Sequence, residues 1–105
     1  MSEERKLRVY TQEEIESFLR ENLKEWRYEE GFLVRDITTK NWKETIFLVN
    51  AIAYVAEALW HHPDLEVSFK RLKIKLTTHE AKGITDRDFG LALEIERLLN
   101  LQRMP

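Results

Sequence analysis

The chain has 105 residues, a length typical of one domain, and its 43% hydrophobic and 34% charged residues can supply both a core and a solvated surface. Its net charge of -2 lacks the basic excess that phosphate backbones attract, so we expect no direct nucleic-acid binding. The absence of cysteine, a charged rather than apolar start, and an apolar run (46–60) shorter than the ~20 residues of a membrane span favour a cytoplasmic protein. We therefore predict a single cytoplasmic domain over residues 1–105 that does not enter the membrane.

The first half of the chain predicts a helix, a hairpin and a second helix. A capping-box pattern at Thr11 precedes apolar residues at helical spacing. Aromatic and branched residues on both sides of Gly31 predict the hairpin. Over 41–60, apolar residues at spacings of three and four predict a helix with a broad apolar surface. Pro63 disfavours a helical conformation at His62, so this helix should end there.

The second half predicts another hairpin and a third helix. Val67 and Phe69, then the alternating residues 72–76 after a tight turn near Arg71, indicate two strands. Thr85 is a suitable N-cap for the helix that follows. The order α-β-β-α-β-β-α, with each strand pair joined by a short turn, predicts an α+β domain. Its antiparallel sheet should carry the three helices on one face.

Three histidines occupy the ends of predicted elements, where they would be accessible to a ligand. His61 and His62 end the second helix, and His79 ends the fourth strand. Imidazole can donate or accept a proton near neutral pH because its ordinary pKa is about 6.5. Glu57 lies four residues before His61, so on a helix the two share a face, and the carboxylate and the helix dipole would both favour a protonated His61. His61 is thus a candidate acid, and His79 is available to a ligand.

Structural roles for the same residues remain open at this stage. The histidine pair could be a helix stop bonded to the last carbonyls, Glu57 could be a surface carboxylate paired with a lysine, and Asp88 could be the capping partner of Thr85. Three histidines and a carboxylate could also bind zinc. Neighbouring histidines rarely point at one ion, however, and the i,i+4 histidine pair of many zinc sites is missing, so we predict no metal.

A spaced set of residues resembles a known family signature. Glu57 is followed by the sequence His61-His62-Pro63, aromatic Phe69, His79 and Asp88, and the segment "THEAKGITDRDFGLA" agrees with the same pattern. This set is similar to the signature of the pterin-4a-carbinolamine dehydratases. The resemblance implies a four-stranded antiparallel sheet with three helices. It also implies that the protein removes water from a 4a-hydroxytetrahydropterin to give the quinonoid dihydropterin, without a cofactor.

The resemblance also implies which residues form the site. His61, His62 and His79 would line the pterin pocket and carry the acid and base work, with His61 as general acid, His79 as the opposing base and His62 as a hydrogen-bonding group. Which histidine gives and which takes a proton stays open. The implied substrate-binding residues are Glu57, Pro63, Thr78, Glu80, Ala81 and Asp88.

Departures from the family pattern concern the pocket more than the reaction. Trp60 stands where many members have Asp, and Leu65 and Phe69 stand where a Trp and a Tyr are frequent. A contact that shapes the pocket could therefore differ, which leaves the side chain of the substrate open.

A second class of function is a protein-binding module without turnover, since some family members act as dimerisation cofactors of a homeodomain transcription factor. The broad apolar surface of the second helix would also serve self-association, and we predict a homodimer or homotetramer. Retention of all three histidines favours catalysis, because an interface role needs none of them.

Overall fold

A computed structural model of the protein describes residues 7–102, so residues 1–6 and 103–105 of the predicted domain lie outside the described part. A single 3₁₀ turn at His79–Ala81 separates the last strand from the last helix. The order α-β-β-α-β-β-α confirms the prediction. The elements are α1 Gln12–Asn22, β1 Trp26–Glu29, β2 Phe32–Thr38, α2 Trp42–Leu59, β3 Asp64–Ser68, β4 Arg71–Leu76 and α3 Asp86–Gln102.

The sheet has the strand order β1-β2-β4-β3, and every neighbouring pair is antiparallel. Because side chains alternate along a strand, β4 buries Leu72, Ile74 and Leu76 on one face. Leu33 of β2 pairs with Leu76, which places β2 and β4 at the centre of the sheet. Helices α2 and α3 contact each other, and together with α1 they enclose the core. The predicted α+β fold is confirmed.

The turns follow the local sequence closely. Glu30 and Gly31 both have positive φ, 51° and 85°, as a two-residue hairpin turn of the favoured type requires. In the second hairpin Ser68 pairs with Arg71, so the turn falls on Phe69 and the residue after it. The prediction that Phe69 belongs to a strand was wrong, since the register leaves it in the turn.

Helix α2 ends one residue short of the predicted range 41–60 and before both histidines. Asn41 caps its start by accepting the N–H of Glu44 at 2.8 Å, but the last helical residue is Leu59. Trp60 then adopts the left-handed conformation, with φ 55° and ψ 47°. The N–H of His61 donates to the carbonyl of Ala56 at 3.0 Å, as in a helix end closed by a left-handed residue. Pro63 restricts His62, as expected, but the chain has already left the helix at Trp60.

A partly buried polar contact joins the sheet to α3. Arg35 is 6% exposed, and its Nε donates to Oε2 of Glu96 at 2.8 Å. The indole N–H of Trp26 donates to the same oxygen at 2.8 Å. Glu96 therefore holds β1 and β2 against α3. None of the helices within residues 7–102 combines the length and apolar character that a bilayer span demands.

Candidate active site

The loop after β4 is closed on itself and presents His79 outward. The N–H of Thr78 donates to the carbonyl of Gly83 at 3.0 Å, and His79 is the first residue of the 3₁₀ turn between them. A Cβ on Gly83 would lie 2.6 Å from Cγ1 of Val9, so any other residue would force the Val9 side chain to move. The N–H of Tyr10 also donates to the carbonyl of Ile84 at 2.9 Å. Val9 and Tyr10, which precede α1, thus pack against the loop and hold it in place.

His61 is buried and held by Asp88 of α3. The Nε2 of His61 lies 2.6 Å from Oδ1 of Asp88, and Asp88 has no exposed surface. The second oxygen of Asp88 accepts the hydroxyl of Thr78 at 2.7 Å and the N–H of Thr85 at 2.9 Å. Since an ionised carboxylate only accepts hydrogen bonds, Nε2 carries the proton toward Asp88. Nδ1 is then the ring nitrogen left for proton exchange.

The carboxylate of Glu57 bonds His62, so the predicted pair between Glu57 and His61 was wrong. Oε1 of Glu57 lies 2.9 Å from Nε2 of His62, with both side chains more than half exposed. The i,i+4 spacing places two side chains on one face only while the backbone stays helical. Because the backbone of Trp60 is left-handed, the side chain of His61 points into the interior and that of His62 lies beside the end of α2.

The three histidines surround one cavity of about 240 Å³, although they come from the end of α2 and the loop after β4. His61 is 8% exposed and lies at its inner side, whereas His62 and His79 are exposed. The residues that line it are Trp60, His61, His62, Thr77, His79, Glu80 and Arg87.

Arg87 and Glu80 add opposite charges to the rim of the cavity. The guanidinium of Arg87 donates to Oε2 of Glu80 at 2.9 Å. The backbone N–H of Glu80 itself, and then Arg87, hold the pKa of the Glu80 carboxyl below its usual range. Glu80 is therefore ionised at neutral pH. Arg87 was not among the predicted site residues, although its position one residue before Asp88 in the first turn of α3 could have indicated it.

Several predicted substrate-binding residues lie near the cavity without lining it. Thr78 and Asp88 are fully buried; Asp88 bonds His61 directly, and Thr78 bonds Asp88. Asp88 also accepts the N–H of Thr85, as a capping partner would. Pro63 and Ala81 are half-buried in the adjoining backbone, and Glu57 reaches the site through His62. Among residues 7–102, no group of three or more carboxylates and histidines is arranged to hold a metal ion.

Comparison with known proteins identifies the family. Residues 8–98 match the family described as pterin 4 alpha carbinolamine dehydratase. The chain belongs to this family. The pterin-4a-carbinolamine dehydratase resemblance drawn from the sequence is thus confirmed.

Relatives within the pterin-4a-carbinolamine dehydratase family cover most of the chain. A protein of Aquifex aeolicus, whose name assigns it provisionally to the pterin-4-alpha-carbinolamine dehydratases, is 56% identical over 89% of this chain and 93% of its own length. A Metallosphaera sedula protein with the same provisional name is 38% identical over 82% of this chain and 88% of its own.

Two solved structures share the fold. A protein from Brucella melitensis, described as a transcriptional coactivator/pterin dehydratase, has a TM-score of 0.80 at 24% identity and covers 87% of this chain and 98% of its own. A pterin dehydratase-like protein described as a RuBisCO assembly factor in the alpha-carboxysome has a TM-score of 0.61 at 17% identity and covers 70% of this chain and 87% of its own.

Proposed function

We propose that this protein removes water from a 4a-hydroxytetrahydropterin in the cytoplasm, by histidine acid and base catalysis. The observation that carries the proposal is the meeting of His61, His62 and His79 on one cavity, with His61 oriented by a buried carboxylate. The family and the provisional names of the relatives support a pterin dehydratase.

The proposed reaction transfers two protons. The C4a–O bond breaks with its electron pair going to oxygen, which takes a proton and leaves as water. A ring N–H loses its proton, and the electrons of that bond form the C=N bond of the quinonoid dihydropterin. One imidazole must therefore supply a proton while another accepts one. No metal or organic cofactor takes part in this mechanism.

The contacts of each histidine support different roles in this reaction. Asp88 orients His61 and stabilises its imidazolium by charge, which suits a general acid that exchanges its proton at Nδ1. His79 lines the same cavity from another element and suits the opposing base. His62 is held by Glu57 and suits a hydrogen bond to the substrate.

A dehydration assay on purified, chelator-treated protein tests the proposal. The substrate is generated in situ, and the protein should speed formation of the quinonoid product in proportion to its concentration. The value of kcat/KM should follow a bell-shaped pH dependence over the range where histidine titrates. As a control, Lys24→Gln changes an exposed residue that does not line the cavity and should leave turnover unchanged. A rate no faster than without protein would sink the proposal.

The alternative is a protein-binding module, and exposed aromatics on α2 favour it. Phe47 is 60% and Tyr54 77% exposed, at helical spacing on one side of α2. Such a surface fits a second copy of the chain, and we propose a homodimer or homotetramer. The Brucella melitensis protein is described as a transcriptional coactivator. In this alternative the partner is therefore a transcription factor. A chain that lacks turnover but binds such a partner would establish it.

A further inference from the structure

Trp60 combines a backbone conformation that tryptophan disfavours with a position at the mouth of the cavity. Its φ of 55° lies in the left-handed region, which glycine adopts easily and a bulky residue adopts at a cost. The side chain is also 71% exposed, so little burial compensates for that cost within residues 7–102. Strained residues of this kind concentrate at functional sites.

The indole of Trp60 stands against one of the histidines. Its ring centroid lies 5.0 Å from that of His62, and the two planes meet at 80°, an edge-to-face contact. His62 is itself held by Glu57 at 2.9 Å. Glu57 thus positions His62, and His62 positions the indole of Trp60.

Trp60 differs in chemistry from everything else around the cavity. The other six lining residues are three histidines, a threonine, a glutamate and an arginine, which offer polar atoms to the edges of a ligand. A flat heterocycle also has two π faces, and an aromatic side chain is the group that best covers such a face. Of the seven lining residues, only Trp60 presents a large aromatic hydrocarbon surface.

We propose that Trp60 is a substrate-binding residue that packs its indole against one face of the pterin ring. The inference rests on the proposed function, since it assigns the pterin substrate to the same cavity. The face contact exists before and during the reaction, so it lowers KM without raising kcat. Trp60 thereby selects substrates with a bicyclic ring that has one unhindered face.

A competing explanation is that Trp60 belongs to an interface between copies of the chain. Leu59 beside it is 49% exposed, and the exposed aromatics of α2 precede it on the same helix. In that case replacing the indole would change the oligomer mass and leave pterin affinity unchanged in the surviving species.

Replacement of Trp60 by glycine separates these explanations, because glycine accepts the left-handed backbone and removes only the indole. We expect Trp60→Gly to keep or raise the melting temperature, by up to about 4 °C. It should weaken binding of a 7,8-dihydropterin by about tenfold in calorimetric titration, raise KM to match and leave kcat within about threefold. Trp60→Asn, which also tolerates this backbone, should behave alike, whereas Trp60→Phe should keep affinity within about threefold.

Trp42 provides the matched control, as an exposed tryptophan at the other end of α2. Trp42→Ala should leave dihydropterin affinity unchanged. The inference is overturned if Trp60→Gly and Trp60→Asn bind as wild type, if either loses kcat rather than affinity, or if light scattering shows a changed oligomer mass instead. A wild-type protein that neither binds nor turns over a pterin would overturn the proposed function and this inference together. Normal wild-type turnover with unaffected Trp60 variants would overturn this inference alone.

Discussion

Substitution of Asp88 by asparagine should move the proton of His61 to its other ring nitrogen while preserving the shape of the residue 88 side chain. The side-chain oxygen of asparagine can still accept from the Thr78 hydroxyl and the Thr85 N–H. Its amide N–H₂ then faces Nε2 of His61, where the carboxylate oxygen lies at 2.6 Å in the wild type. Because the amide donates, Nε2 must accept, and the proton of neutral His61 moves to Nδ1. The imidazolium also loses the charge that stabilised it.

The size of each effect follows from these contacts. An imidazole in the wrong tautomer and without its carboxylate should lose roughly a hundredfold to ten-thousandfold in kcat. Stability should fall by only about 1–3 kcal/mol, since one charge-assisted hydrogen bond is replaced by a neutral one. Asp88→Ala is harsher, because it leaves three buried donors unpaired at about 1–3 kcal/mol each, or about 3–9 kcal/mol together. That loss is comparable with the whole stability of a small domain.

Three measurements on Asp88→Asn test the reasoning. Turnover is measured by the dehydration assay, stability by urea unfolding, and the tautomer of His61 by long-range ¹H–¹⁵N correlation of its ring nitrogens. We expect the protonated ring nitrogen to change from Nε2 to Nδ1 while turnover collapses and the fold persists. If the tautomer changes and turnover stays near wild type, His61 does not exchange a proton in the reaction.

Three further predictions address the site, the assembly and the fold. His61→Ala and His79→Ala should each lower turnover roughly a hundredfold or more with little loss of stability, and the double variant should be little worse than the poorer single. Two singles that turn over normally but unfold earlier would make these histidines structural. Light scattering should detect a dimer or tetramer, which Tyr54→Glu should weaken, and a 12.6 kDa species alone at micromolar concentration would exclude self-association. The hydrogen bond from Arg27 holds the pKa of Asp36 below its ordinary value, so its stabilisation is present above about pH 4 and is lost as pH falls through the lower folded pKa. The urea midpoint of Asp36→Asn should therefore fall less between pH 5 and pH 2.5 than that of wild type, and equal falls would contradict this.

The fold could be predicted from sequence because its signals are local. Thr11 and Glu14 make both hydrogen bonds of the capping box, as the spacing indicates. Gly31 supplies the positive φ that its hairpin turn needs. The alternation over 72–76 places its apolar residues on the buried face because side chains in any strand alternate. Each of these patterns acts within a few residues, so none depends on how the chain packs at longer range.

The resemblance to the family signature predicted that the three histidines and Glu80 line one site, but it missed Arg87 and did not show how the residues contact one another. Helical spacing predicted a bond between Glu57 and His61, and this failed because Trp60 leaves the helix in a left-handed conformation. The partner of His61 is Asp88, 27 residues away. That contact exists only because α2 packs against α3 and brings the helix end over a buried carboxylate. Side-chain pairs between distant elements depend on packing geometry, which local periodicity does not encode, and so only the tertiary structure decided them.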